Sequence, residues 1–263
     1  VKKRVIICGY PKSGNTWLTR LTAEIVGCPV AGFWTEPENQ EEAIEGLDRI
    51  SPFECFKAHH GIDDYRRSLA AHGNGTEKLI YVYRDPRDVV VSMSRYFALP
   101  GLNGLLGRAL KRIPVVSVVY RRTLGSRKRR LEYWTDVLIQ GRTEIGWLGT
   151  PWGRHVSGYL DEELGLAVRY EDLKRDALRE ARRIADYLGI ERSDEELEEA
   201  IRRQSFDVKK RQFLERGDEA RAAFLREGRS GGWKEGLGEE NAARIDAALG
   251  PLLDRLGYER LRW

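Results

Sequence analysis

The chain has 263 residues, 41% of them hydrophobic, enough for one α/β domain with a real core. Its formal net charge of +4 suits an anionic ligand and is too small to argue for nucleic acid. No apolar run reaches the roughly 18 residues of a membrane span, and three cysteines without metal spacing, Cys8, Cys28 and Cys55, argue for a reducing, cytoplasmic compartment.

The basic start, Val1 to Val5, runs into an apolar stretch cut at once by Gly9 and Pro11, so it does not read as a signal peptide. Arg4 to Cys8 reads as a buried strand, with Cys8 as a small apolar core residue. Gly9-Tyr10-Pro11-Lys12-Ser13-Gly14-Asn15-Thr16-Trp17 is a turn that opens a helix from Thr16 to Val26, where Leu18, Leu21 and Ile25 stand at helical spacing. Pro29, Gly32, Pro37, Gly46 and Pro52 make residues 29 to 52 loops with one short helix. A short strand is expected at Phe53 to Ala58, a helix from Ile62 to Ala71, a turn at Gly73-Asn74-Gly75, and a strand at Leu79 to Tyr83. Asp85 then caps a helix with Pro86 at its first position.

Residues 98 to 130 differ in character. Nine lysines and arginines from Arg108 to Arg130 stand among leucines and valines with no acidic residue, which reads as a basic amphipathic insertion. Helix is expected from Leu131 to about Leu148 and from Pro151 to Leu160. Leu166 to Tyr170 is another strand, followed by a long helix from Glu171 to Leu188. Ser193 caps the next helix, and residues 239 to 256 form the last. Strands alternating with helices give a single α/β domain over 1–263, P-loop-like, with a central mostly parallel β-sheet flanked by helices on both faces.

A strand, a glycine turn and a helix N-terminus aim backbone N–H groups at one spot, which suits a phosphate. An ordinary nucleotide-binding loop has its lysine after the second glycine. Here Lys12 precedes Gly14, in the pattern Tyr-Pro-Lys-Ser-Gly-x-Thr-Trp. This resembles the 5′-phosphosulfate loop of the cytosolic-type sulfotransferases, which move a sulfuryl group from 3′-phosphoadenosine-5′-phosphosulfate (PAPS) to an acceptor and release PAP. The resemblance implies that Ser13, Gly14, Asn15 and Thr16 hold the 5′-phosphate. It implies that Lys12 neutralises the bridging oxygen as sulfate leaves, and that Trp17 presents its ring edge to adenine.

Five further segments are similar to motifs of that family, and together the motifs span residues 5 to 246. In Lys78 to Ser92, Arg84 leaves a strand end and Ser92 follows eight residues on, matching the 3′-phosphate pair; Arg87 and Asp88 read as structural. Phe224 to Lys234 resembles Arg-Lys-Gly-x-x-Gly-Asp-Trp, which assigns Leu225, Arg226 and Gly228 to the nucleotide. The family's lysine is Glu227 here, with Arg229 two residues on, and its aspartate is Gly232. Tyr170-Glu171-Asp172-Leu173 and Ser205-Phe206 match the two adenine elements, with Gln204 where threonine is usual.

Lys57-Ala58-His59 resembles the family's Lys-Thr-His, which makes His59 the general base and Lys57 a stabiliser of transition-state charge. His60 is the alternative base. The resemblance implies in-line, metal-independent transfer to a hydroxyl or amine of a small-molecule, natural-product, lipid or glycan acceptor. Two competing readings are a non-catalytic PAP/PAPS-binding homologue, favoured by Ala58 and Glu227, and an ATP-dependent P-loop kinase. Residues 98–130 read either as a lid meeting an amphiphilic or anionic acceptor or a membrane surface, or as a solvated basic face. Gly238, Glu239 and Ala243 stand where the family's dimer motif has Thr, Val and Glu, so a monomer or a different dimer is expected.

Overall fold

Val5, Ile6, Ile7 and Cys8 have no exposed surface. They belong to β1 (Lys3–Gly9), which lies at the middle of a sheet covered on both faces, and that explains a continuous apolar run rather than alternation. A computed structural model describes residues 1–35, 44–96, 126–215, 217 and 228–261. They fall into two compact units, Val1–Arg84 with His155–Arg229, and Asp85–Arg154 with Ser230–Trp263.

The first unit holds the sheet. Its strand order is β2 (Val30–Phe33), β3 (Phe53–Ala58), β1, β4 (Lys78–Tyr83), β5 (Leu166–Arg169), and every neighbouring pair is parallel. The expected fold class is therefore the one observed. From β1 the chain passes to the edge at β2, returns to β3 beside β1, and then crosses to β4 on the other side, so the direction of winding changes between β1 and β4. Such a reversal opens a crevice at the carboxyl ends of the strands, where sheets of this kind bind ligands. Register places those ends together: Cys8 lies beside Ala58, Gly9 beside Val82, and Tyr83 beside Arg169.

Alternation along the strands sorts the two faces. Val5, Ile7, Cys55, Ile80, Val82 and Val168 pack with Leu18, Leu21 and Ile25 of α1 (Asn15–Val26). The opposite face carries Cys8 and Tyr81, which meet Tyr159 and His155. Further helices of this unit are α2 (Ile62–His72), α5 (Trp152–Asp161, from His155 on), α6 (Tyr170–Arg175), α7 (Ala177–Leu188), α8 (Asp194–Arg203) and α9 (Phe206–Glu215).

Two expectations need correction here. Composition predicts loops with one short helix over residues 29 to 52, yet Val30–Phe33 is a strand with a register shift between Val30 and Gly32; Pro29 and Gly32 mask it in the sequence. The helix expected from Glu171 to Leu188 begins at Tyr170 and breaks at Asp176, whose side chain accepts the Arg179 N–H and caps α7.

The second unit contains α3 (Pro86–Tyr96), α4 (Arg127–Gln140), a 3₁₀ turn (Thr143–Leu148), α10 (Trp233–Gly236) and α11 (Glu239–Arg255). Asp85 accepts the Arg87 N–H at 2.9 Å, as an N-cap should. Arg87 is 1% exposed, pairs with Asp85 and Asp246, and lies 3.8 Å from the Trp233 ring centroid. Asp88 accepts from the N–H groups of Gly231 and Trp233. Both side chains hold this unit together.

Helix α4 starts at Arg127 rather than Leu131, because Ser126 accepts the Arg129 N–H, and stops at Gly141, whose φ is 76°. Most of the basic insertion, residues 98–125, lies outside the described residues. Among the described residues no helix is long and apolar enough to cross a membrane.

Candidate active site

The first unit brings most of the expected site residues to the crevice. The loop after β1 is a tight turn in which the Ser13 N–H donates to the Tyr10 carbonyl at 3.1 Å. Lys12 has a φ of 72°, uncommon for a residue with a side chain, and Gly14 a φ of 104°. A Cβ on Gly14 would stand 2.5 Å from the Tyr170 ring, so two constraints select glycine there. Gly14→Ala is expected to destabilise the protein by about 2–4 kcal/mol, read from urea unfolding, since both strain and overpacking oppose it.

The turn leaves donors for an anion. No side chain caps α1, so its first N–H groups keep their capacity. Among the described residues the buried Ser13 hydroxyl and Trp17 indole N–H have no hydrogen-bond partner. The Asn15 side-chain amide N–H groups are engaged within the fold, donating to the carbonyls of Gly9 and Ala58 and tying the ends of β1 and β3 together, which leaves its backbone N–H as the donor at the loop. Thr16 Oγ1 accepts from Lys57 Nζ at 3.0 Å, which brings both lysine-bearing segments to the same loop.

Arg84, buried at the end of β4, donates to the carbonyls of Arg229 at 2.8 Å and Lys12 at 3.5 Å. Its guanidinium lies 4.4 Å from the Tyr170 ring centroid. The Tyr170 hydroxyl donates to the Gly228 carbonyl at 3.0 Å. A Cβ on Gly228 would meet that hydroxyl and the Phe206 ring.

Phe206 is half-buried at the start of α9, not a core residue, and tilts against Trp17 with centroids 5.4 Å apart. Trp17, Leu173, Lys174, Ala177, Ser205 and Phe206 line a cavity of about 420 Å³. Lys174, which the sequence reading did not single out, places its ammonium over both rings. One turn after Tyr170 on α6, it could have been found from helical spacing. Gln204 bridges Glu24 and Glu45. Ser92 lies half-buried on α3, in the other unit, and Leu225, Arg226 and Glu227 lie outside the described residues.

His59 follows β3 and is 5% exposed. Its Nδ1 lies 2.8 Å from the Gly9 carbonyl, which can only accept, so Nδ1 carries the hydrogen and Nε2 is the basic nitrogen. Burial, then the nearby Lys57 charge, hold its pKa well below 6.5. His60 is half-buried, with Nε2 3.4 Å from Thr35 Oγ1.

His155 is wholly buried, and desolvation lowers its pKa from 6.5 to about 4. The unfolded chain thus takes up protons that the folded chain does not, so stability falls as pH drops from 6.5 towards 4. Through His155 alone the loss is roughly 3 kcal/mol. A lower urea midpoint at about pH 5 than at neutral pH is expected; equal midpoints would contradict it. Among the described residues no group of three or more His, Cys, Asp or Glu is placed to hold a metal.

A strand–turn–helix loop with a positive-φ lysine and glycine, an arginine at the switch point and a buried histidine stand together in this unit. The chain is 26% identical over 277 residues to cytosolic sulfotransferase 17 of Arabidopsis thaliana, covering 92% of this chain and 72% of that one. It is 25% identical over 270 residues to an amine sulfotransferase of Oryctolagus cuniculus, covering 92% and 78%. Its fold matches the mouse sulfotransferase SULT7A1, solved in complex with PAP, with a TM-score of 0.66 at 20% identity over 96% of this chain and 85% of that one. The family model for the sulfotransferase domain matches residues 2–257, across both units, and the chain belongs to that family.

Proposed function

We propose that this PAPS-dependent sulfotransferase uses His59 Nε2 to take the proton from an acceptor hydroxyl or amine. The acceptor oxygen or nitrogen forms a bond to sulfur while the bond from sulfur to the bridging oxygen breaks. PAP departs with that oxygen's electron pair, and the proton resides on His59. Lys12 and Lys57 stabilise the charge that grows on the bridging and sulfuryl oxygens. Positioning and electrostatics do most of the work, as in phosphoryl transfer.

The observation that carries this reading is the convergence of Lys12, Lys57, His59 and Arg84 at the carboxyl ends of three adjacent strands. The unpartnered Ser13 hydroxyl and the N-terminus of α1 fit the 5′-phosphate. Arg84 suits the 3′-phosphate, and Trp17, Tyr170 and Phe206 suit adenine. PAP in the mouse relative supports the same nucleotide here. The roles of Ser92, Leu225 and Arg226 rest on sequence resemblance alone. The name of the Oryctolagus relative supports a small-molecule amine as one acceptor class, and the name of the Arabidopsis relative supports cytosolic placement.

The test is transfer of labelled sulfate from PAPS to a panel of phenols, alcohols and amines in buffer containing EDTA. Labelled product and stoichiometric PAP are expected. PAP binding without transfer to any acceptor would favour the non-catalytic reading.

A further inference from the structure

We infer that His155 is a positioning residue for His59, holding the main chain of the base through a hydrogen-bond relay that begins at Tyr81. The inference rests on the reading of His59 as the base. His155 Nε2 lies 3.3 Å from the His59 carbonyl. A carbonyl only accepts, so Nε2 carries the hydrogen. A neutral imidazole has one, which leaves Nδ1 as an acceptor. The Tyr81 hydroxyl stands 2.8 Å from that nitrogen and 3.3 Å from the His155 carbonyl, and it donates to the nearer acceptor, the nitrogen. Burial keeps the phenol protonated and the imidazole neutral, so each group has the proton that the relay requires.

Aromatic rings pack around the relay. The His155 ring stacks on Tyr81 at 5.8 Å, with an interplanar angle of 27°. The Tyr10 ring, from the phosphosulfate loop, meets it edge-on at 5.5 Å. Tyr81 in turn stacks on Tyr159 at 4.3 Å, and the Tyr159 hydroxyl donates to the His60 carbonyl at 2.9 Å. Consecutive carbonyls of His59 and His60 are therefore each held by a side chain of α5. The His59 ring is fixed separately, by Gly9. Base and loop share one support, so the distance between Nε2 of His59 and the sulfur depends on it. A displacement of about 1 Å in such a pair costs on the order of 100-fold in rate. No catalytic step passes through His155, which has no exposed surface.

Three variants and one control test this. His155→Phe keeps the ring and removes the donor, His155→Gln returns an amide donor near the Nε2 position, and Tyr81→Phe removes the head of the relay. His155→Phe should lower kcat about 10–100-fold while the Kd for PAP, from calorimetry, changes less than about threefold. His155→Gln should restore most of the rate, and Tyr81→Phe should lower kcat several-fold with PAP affinity intact.

Unchanged kcat in His155→Phe would overturn the inference. So would a parallel fall of kcat and PAP affinity that glutamine fails to rescue, since that describes packing alone. If His155→Phe does not fold, Tyr81→Phe decides, and a wild-type kcat there is equally fatal. His59→Ala is measured alongside. Full activity in that variant removes the base assignment itself, whereas an inactive His59→Ala beside a fully active His155→Phe removes only the positioning role.

Discussion

Replacing His59 with alanine is expected to lower the kcat of sulfuryl transfer by about 10²–10⁴-fold, the usual range for a lost general base, with PAP affinity little changed. The acceptor proton must leave as the new bond to sulfur forms. His59 alone combines a fixed tautomer, with Nδ1–H on the Gly9 carbonyl, and a position beside the loop that carries Lys12. Its pH behaviour follows from its surroundings. Burial and Lys57 lower its pKa below 6.5, so the ring is already neutral and basic at pH 7. The pH profile of kcat should be flat through neutrality and fall on acidification, with a midpoint below 6.5. A full rate in the variant, or a wild-type midpoint above 7, would remove His59 from this role.

Arg84→Ala is expected to raise the Kd for PAP by about 30–150-fold, from the loss of about 2–3 kcal/mol of charge-assisted hydrogen bonding. Two further effects act in the same direction. The guanidinium tethers the Arg229 carbonyl, beside the Gly228 turn, and lies over the Tyr170 ring. Arg84→Lys should recover only part, because an ammonium cannot engage two oxygens in a plane. The discriminating measurement is calorimetry with PAP against 5′-AMP, which lacks the 3′-phosphate: the variant should lose the preference for PAP. An unaltered preference would place the 3′-phosphate elsewhere.

The candidate site was legible in the sequence through motifs that resemble those of the sulfotransferases, and each of them stands at the carboxyl end of a strand: the loop after β1, His59 after β3, Arg84 after β4, Tyr170 after β5. Strand ends of a parallel sheet converge, so linear motifs become one site without any long-range information. What stayed hidden depends on contacts between distant residues. His155 is 96 residues from the carbonyl it faces, and nothing in its local sequence sets it apart from any other buried histidine.

Asn15 carries a side chain suited to phosphate, and only the register of β1 against β3 shows its amide bridging Gly9 and Ala58. The strand at Val30–Phe33 escaped because Pro29 and Gly32 are loop residues by composition, tolerated where the edge strand bulges. The break at Asp176 escaped because no glycine or proline marks it; an aspartate capping the next helix does the same work.

The central claim is that the crevice beside β1 and β4 takes a 3′-phosphorylated adenosine nucleotide as the vehicle of a sulfuryl group. Titration calorimetry of the intact protein with PAP, with ATP as the comparison, in magnesium-free buffer tests it most directly. One site per chain is expected, with PAP bound far more tightly than ATP. Failure to bind PAP, or equal affinity for ATP, would contradict it and reopen the reading of the loop as an ATP site.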